Sequence, residues 1–140
     1  MEENTTETTG NKSLENVKVL IAEDDPLLAG LLGKRLVTAG GILYHEADGA
    51  RILDIVKQQH PDIVVLDIML PGMSGFDVLK AVKADDTTKD IPVLLLSNLG
   101  QDEDIEKSKE LGAAGFMIKA TVSLDEVVEK IIAVLLESRK

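Results

Sequence analysis

One unit recurs five times along this chain: a short apolar run, then a segment whose apolar residues return at helical spacing. The runs are "VKVLIA" from Val17, "ILYHE" from Ile42, "DIVVL" from Asp62, "IPVLLL" from Ile91 and "GFMI" from Gly115. Strict alternation of strand and helix predicts a parallel sheet, because parallel neighbours need a long crossover between them. Near-continuous apolar runs predict strands covered on both faces, with helices supplying the cover. The crossovers are expected to be right-handed.

Local signals mark the helix ends. Asp25-Pro26 is an N-cap followed by proline at the first helical position, ahead of Leu28, Leu31, Leu32 and Leu36. Gly40-Gly41 closes that helix. The second helix carries Ile52, Ile55 and Val56 and stops at His60-Pro61. Ser74 to Asp77 is a weak capping pattern before Phe76, Leu79 and Val82. Gln101 to Leu111 is a polar helix with Ile105 and Leu111 as its anchors. Ser123-Leu-Asp-Glu126 is a capping box that opens the last helix.

Composition removes several function classes. The chain has no cysteine, so disulfides and thiolate metal sites are excluded. Its formal net charge is −10, which argues against direct nucleic-acid binding. It has no apolar stretch of membrane-spanning length and no signal peptide, so a cytoplasmic protein with no membrane partner is expected. Residues 1–16, "MEENTTETTGNKSLEN", are polar, acidic and Thr-rich, and are expected to form a disordered tail before a single domain over 17–140. No G-x-x-x-x-G-K-[ST] phosphate loop occurs, which disfavours a nucleotide-binding enzyme.

The chemistry is concentrated where the strands end. In open α/β sheets ligands bind beyond the carboxyl ends of the strands. Glu23, Asp24 and Asp25 follow the first run, Glu46 and Asp48 the second, Asp67 the third, Ser97 and Asn98 the fourth, and Lys119 the fifth. Taken singly, each reads as a cap, a loop acid or a surface lysine. Together they bring clustered carboxylates, a hydroxyl and an ammonium to one edge. Clustered carboxylates repel, and a hard divalent cation such as Mg²⁺ relieves the repulsion. A cation, a lysine and a hydroxyl can together stabilise a transferring phosphoryl group, and an aspartate can be its acceptor. Asp67 at the end of a buried strand fits that role. Asp25 is better assigned as an N-cap than as a ligand. His45 and His60 are expected to be bystanders, and Met73 a loop-packing residue.

In order and spacing, "VLIAEDDP", "VVLDIMLPGMSG", "PVLLLSN" and "GFMIK" resemble the receiver domain of two-component response regulators. The resemblance covers the chain after the tail. It implies the flavodoxin-like (βα)5 doubly wound fold with strand order 2-1-3-4-5. It makes Asp67 the phosphoacceptor, loaded from a histidine kinase or phosphotransfer protein. It implies Mg²⁺ held by Asp24, Asp67 and the backbone carbonyl of Met69, with Glu23 acting through water. Lys119 and Ser97 would stabilise the phosphoryl group, and Ser97 and Phe116 would form the switch. The output surface would be the helix from Gln101, the fifth strand and the last helix, serving a downstream protein or a homodimer. Such a protein is a phosphoacceptor that promotes its own phosphorylation and dephosphorylation, rather than an enzyme.

Asn98, Ala120 and Phe116 depart from the usual small alanine, proline and tyrosine. Without the proline, Lys119-Ala120 is expected to be trans, since a cis bond there costs about 2.5–4 kcal/mol. The chain is expected to act as a stand-alone receiver, the alternatives being a fragment of a longer regulator or a receiver-like scaffold that is not phosphorylated. A small-molecule phosphohydrolase would need a second acid just after Asp67 and a cap insertion, which Ile68-Met69 and the short loops do not provide. A flavin carrier would need Ser and Thr, not acids, after the first strand.

Overall fold

The computed structural model describes residues 13–98 and 100–138. The strands are β1 (Lys18–Ala22), β2 (Ile42–Glu46), β3 (Ile63–Leu66), β4 (Val93–Ser97) and β5 (Gly115–Ile118). The helices are α1 (Pro26–Thr38), α2 (Ile52–Gln59), α3 (Gly75–Ala84), α4 (Asp102–Glu110) and α5 (Leu124–Ser138). One parallel sheet runs in the order β2-β1-β3-β4-β5, the flavodoxin-like arrangement that the resemblance implied.

Successive strand residues point to opposite faces, and this divides the core in two. Val19, Ile21, Ile63, Val65, Leu94 and Leu96 pack against Leu32 and Leu36 of α1 and Val127 and Ile131 of α5. Leu20, Ala22, Val64, Leu66, Val93 and Leu95 pack against Ile52 and Val56 of α2 and Phe76, Leu79 and Val82 of α3. β3 is buried at every position, which explains its unbroken apolar reading.

The caps form as read. Asp25 Oδ1 accepts from the backbone N–H groups of Leu27 and Leu28 at 3.0 and 3.4 Å. Ser123 Oγ accepts from the N–H of Glu126 at 3.1 Å, while Glu126 Oε1 accepts from the N–H of Ser123 at 2.7 Å. Ser74 Oγ accepts from the N–H of Asp77 at 3.3 Å. His60 ends α2 in the left-handed region, at φ 47°. No cis peptide bond occurs among the described residues, so Lys119-Ala120 is trans.

The tail expected over residues 1–16 lies outside the described residues as far as residue 12. Its last part belongs to the domain. Leu14 is 1% exposed and sits in the core beside α1 and α5. Its N–H donates to the Ala39 carbonyl at 2.9 Å, and the N–H of Val17 donates to the Leu14 carbonyl at 2.9 Å. One leucine in a polar run carries no period, so composition assigned it to the tail. Leu14→Ala is expected to destabilise the fold by about 2–5 kcal/mol, read as a shift in a urea midpoint. A shift no larger than that of a surface substitution would return Leu14 to the tail.

Candidate functional site

Three strands deliver the charged groups to one edge. Glu23 follows β1, Asp67 follows β3 and Lys119 follows β5. Lys119 Nζ lies 2.7 Å from Glu23 Oε1 and 2.8 Å from Asp67 Oδ2. All three are withdrawn from water, with side-chain exposures of 14% for Lys119, 4% for Glu23 and 6% for Asp67. Buried charges persist only when paired, and here one ammonium faces two carboxylates.

Backbone groups fix the carboxylates. Asp67 Oδ1 accepts from the N–H of Met69 at 3.2 Å. Glu23 Oε2 accepts from the N–H of Asp25 at 3.0 Å. The N–H of Asp67 donates to the Ala22 carbonyl at 3.0 Å, and the N–H of Glu23 to the Glu46 carbonyl at 3.1 Å. Sheet pairing thus extends one residue past the strands and holds both acids in register.

Burial and the paired charges move both titrations. Burial raises the Glu23 carboxyl above its ordinary value, the charge of Asp67 adds to that, and hydrogen bonds from Lys119 and Asp25 oppose it. Burial also pulls Lys119 down, but its hydrogen bonds to Asp67 and Glu23 outweigh this and raise it.

Asp24 is exposed and completes the acidic set. Glu23, Asp24 and Asp67 each bring a carboxylate oxygen within 4.8 Å of the others. A donor set of oxygens alone, with negative charge in excess, fits a hard divalent cation such as Mg²⁺. Ser97 ends β4 fully buried, paired in the sheet with Ile118, the residue before Lys119. Phe116 is not in this cluster. It is half-buried on β5 and packs against the core layer of α2 and α3. Asp25 caps α1, as expected.

His45 is more than a bystander. Its Nε2 lies 2.8 Å from the Glu23 carbonyl, so that nitrogen carries the proton and donates. Glu46 Oε2 accepts from the N–H groups of Ala47 and Asp48 at 3.1 and 3.0 Å, shaping the loop after β2. Nothing in the spacing of His45 marked it. Its link to Glu23 comes from β1–β2 register, in which Ala22 faces Glu46.

The model of the response regulator receiver domain matches residues 19–132. The chain belongs to that family. Receiver domains are phosphoacceptors of two-component systems and bind Mg²⁺ at an acidic pocket. This chain is 36% identical over 112 residues to sporulation initiation phosphotransferase F of Bacillus subtilis, covering 80% of this chain and 88% of that one. It is 34% identical over 118 residues to the DNA-binding dual master transcriptional regulator RpaA of Synechocystis, covering 84% of this chain. It spans about half of RpaA, 48% of its length. Among solved structures it is similar to the BeF3-activated N-terminal receiver domain of Klebsiella pneumoniae RstA, at 28% identity and TM-score 0.77 over 84% of this chain and 97% of that one. It is also similar to the chemotaxis response regulator CheY4 of Vibrio cholerae, at 26% identity and TM-score 0.79 over 85% of this chain and 98% of that one. No described helix is long and apolar enough to cross a membrane.

Binding a divalent cation should stabilise this receiver, because it relieves repulsion among Glu23, Asp24 and Asp67. A cation at ten times its dissociation constant adds about 1.4 kcal/mol. Thermal melts with and without millimolar Mg²⁺ should separate, and Asp24→Asn should bring the curves together. Coincident curves for the unaltered chain would remove the metal site.

Proposed function

We propose that this receiver accepts a phosphoryl group on Asp67 from the phosphohistidine of a histidine kinase or phosphotransfer protein, and relays the event through α4, β5 and α5. The observation that supports it most is the Lys119 bridge, in which one largely buried ammonium lies within 2.8 Å of both buried carboxylates. Apolar packing at such a site is often as stable, so stability alone does not account for the bridge.

Asp24, Asp67 and the Met69 carbonyl would hold Mg²⁺ directly, and Glu23 would hold it through water. When bound, the cation supplies positive charge against the phosphoryl oxygens. A carboxylate oxygen of Asp67 forms the new O–P bond while the P–N bond of the donor breaks and its electron pair leaves with the imidazole nitrogen. Lys119 then exchanges its contact with the free carboxylate for one with a phosphoryl oxygen. The Ser97 hydroxyl donates to a second. Water attacking phosphorus later releases inorganic phosphate and restores the carboxylate.

The output follows from Ser97. Its movement toward the phosphoryl group opens space beneath the loop into α4, within which Leu99 lies outside the described residues. Phe116 rotates into that space. Phe116 has no hydroxyl, so its inward state rests on packing alone, and the response is a population shift rather than an all-or-none change. Nucleic acid is no part of this reading for a chain of net charge −10.

Treatment with acetyl phosphate and Mg²⁺ should add one phosphoryl mass to the intact protein. Asp67→Ala should abolish the adduct, and its persistence there would overturn the assignment. Lys119→Ala should slow its formation by roughly 100-fold, the usual effect of losing one donor aimed at developing charge.

A further inference from the structure

We infer that the contact between Lys107 and Phe76 is a latch that holds α4 in the position it takes without a phosphoryl group. This rests on the reading that Asp67 is phosphorylated and α4 responds. Lys107 Nζ lies 4.5 Å from the centroid of the Phe76 ring. At that range a cation is attracted to the face of an aromatic ring.

The two residues belong to elements with opposite anchoring. Phe76 is 8% exposed and packed in the core with Leu79 and Val82. It follows Gly75, whose N–H donates to the Ile68 carbonyl at 2.7 Å, so it is fixed to the loop that carries Asp67. α4 is held loosely. Ser108 is its one buried position among the described residues, and the Ser108 hydroxyl donates within the helix, to the Ile105 carbonyl at 2.6 Å. Asp102, Glu103 and Asp104 fill its first turn, with no apolar side chain among them. In a helix with so few holds, one side-chain contact to the rigid core takes a large share of the restraint. Phe116, the proposed switch residue, packs against the same cluster as Phe76. A shift of α4 that follows Phe116 would draw Lys107 off the ring.

Linkage gives the latch a measurable consequence. A contact made only in the resting position lowers the affinity of any ligand that favours the shifted one, by the same factor. An exposed cation–ring contact corresponds to about a two- to fivefold change.

The test is a calorimetric titration of the full chain with beryllium fluoride in saturating Mg²⁺. Lys107→Gln should bind the phosphoryl mimic about two- to fivefold more tightly than the unaltered protein. Lys109→Gln, on the same turn of the same helix, should leave the affinity unchanged. Phe76→Leu should match Lys107→Gln, and the double variant should gain no more than either alone. Loss of general helix support would act on Lys109→Gln as much as on Lys107→Gln, so the difference between the two variants isolates the ring contact. Unchanged or weaker binding by Lys107→Gln, an equal gain from Lys109→Gln, or additive gains in the double variant would each overturn the latch. If Phe76→Leu does not fold, the two lysine variants decide. Failure of the unaltered protein to bind the mimic would overturn the Asp67 reading and the latch with it. Normal binding with no difference among variants would overturn the latch alone.

Discussion

A largely buried ammonium between two buried carboxylates sets the terms for this molecule. Removing the ammonium leaves two carboxylates uncompensated in a place shielded from water, whereas removing either carboxylate leaves a one-to-one pair. The bridge also fixes which strands must lie where. β1 and β3 are neighbours, so Glu23 and Asp67 emerge side by side. β4 lies between β3 and β5, so Lys119 has to reach across the end of β4. That end is Ser97, a small side chain that is fully buried. Sheet order and strand length both converge on one ion cluster.

Most of the frame was readable because periodicity and capping are local. β2 and β5 occupy the residues that their apolar runs marked, and Asp25, Ser74 and Ser123 cap the helices they precede. The charged members of the site were readable because a carboxylate at the end of an apolar strand is conspicuous. Two things were not. Leu14 sits alone among polar residues, and its burial depends on a groove between α1 and α5 that exists only once the sheet has formed. His45 holds the Glu23 carbonyl through inter-strand register. Both depend on contacts between segments distant in the chain, and such contacts have no period.

Rigidity is unevenly distributed around the cluster. α3 places five of its ten residues in the buried core, whereas α4 places one of nine there. Free energy of local opening follows the number of such contacts. The loop that carries Asp67 therefore sits against the firmest helix, and the proposed output surface includes the loosest. An arrangement of this kind would let the phosphoryl transfer proposed at Asp67 leave the ion cluster in place while moving something else.

Surface loops commonly accept insertions and drift in length. The loops after β2 and β3 have no such freedom. The N–H of Gly49 donates to the Pro71 carbonyl at 2.8 Å, and any β-carbon at Gly49 would overlap the backbone of Met73. Gly72, at φ 85°, lies so close to Asp48 that a side chain would strike its carboxylate. The two loops are thus mated, backbone against backbone, although 20-odd residues of chain separate them. Over evolutionary time neither can lengthen unless the other makes room. Diversification of relatives that keep this seam should fall on other loops, and a graft of one loop alone into another scaffold would carry only half of a joint.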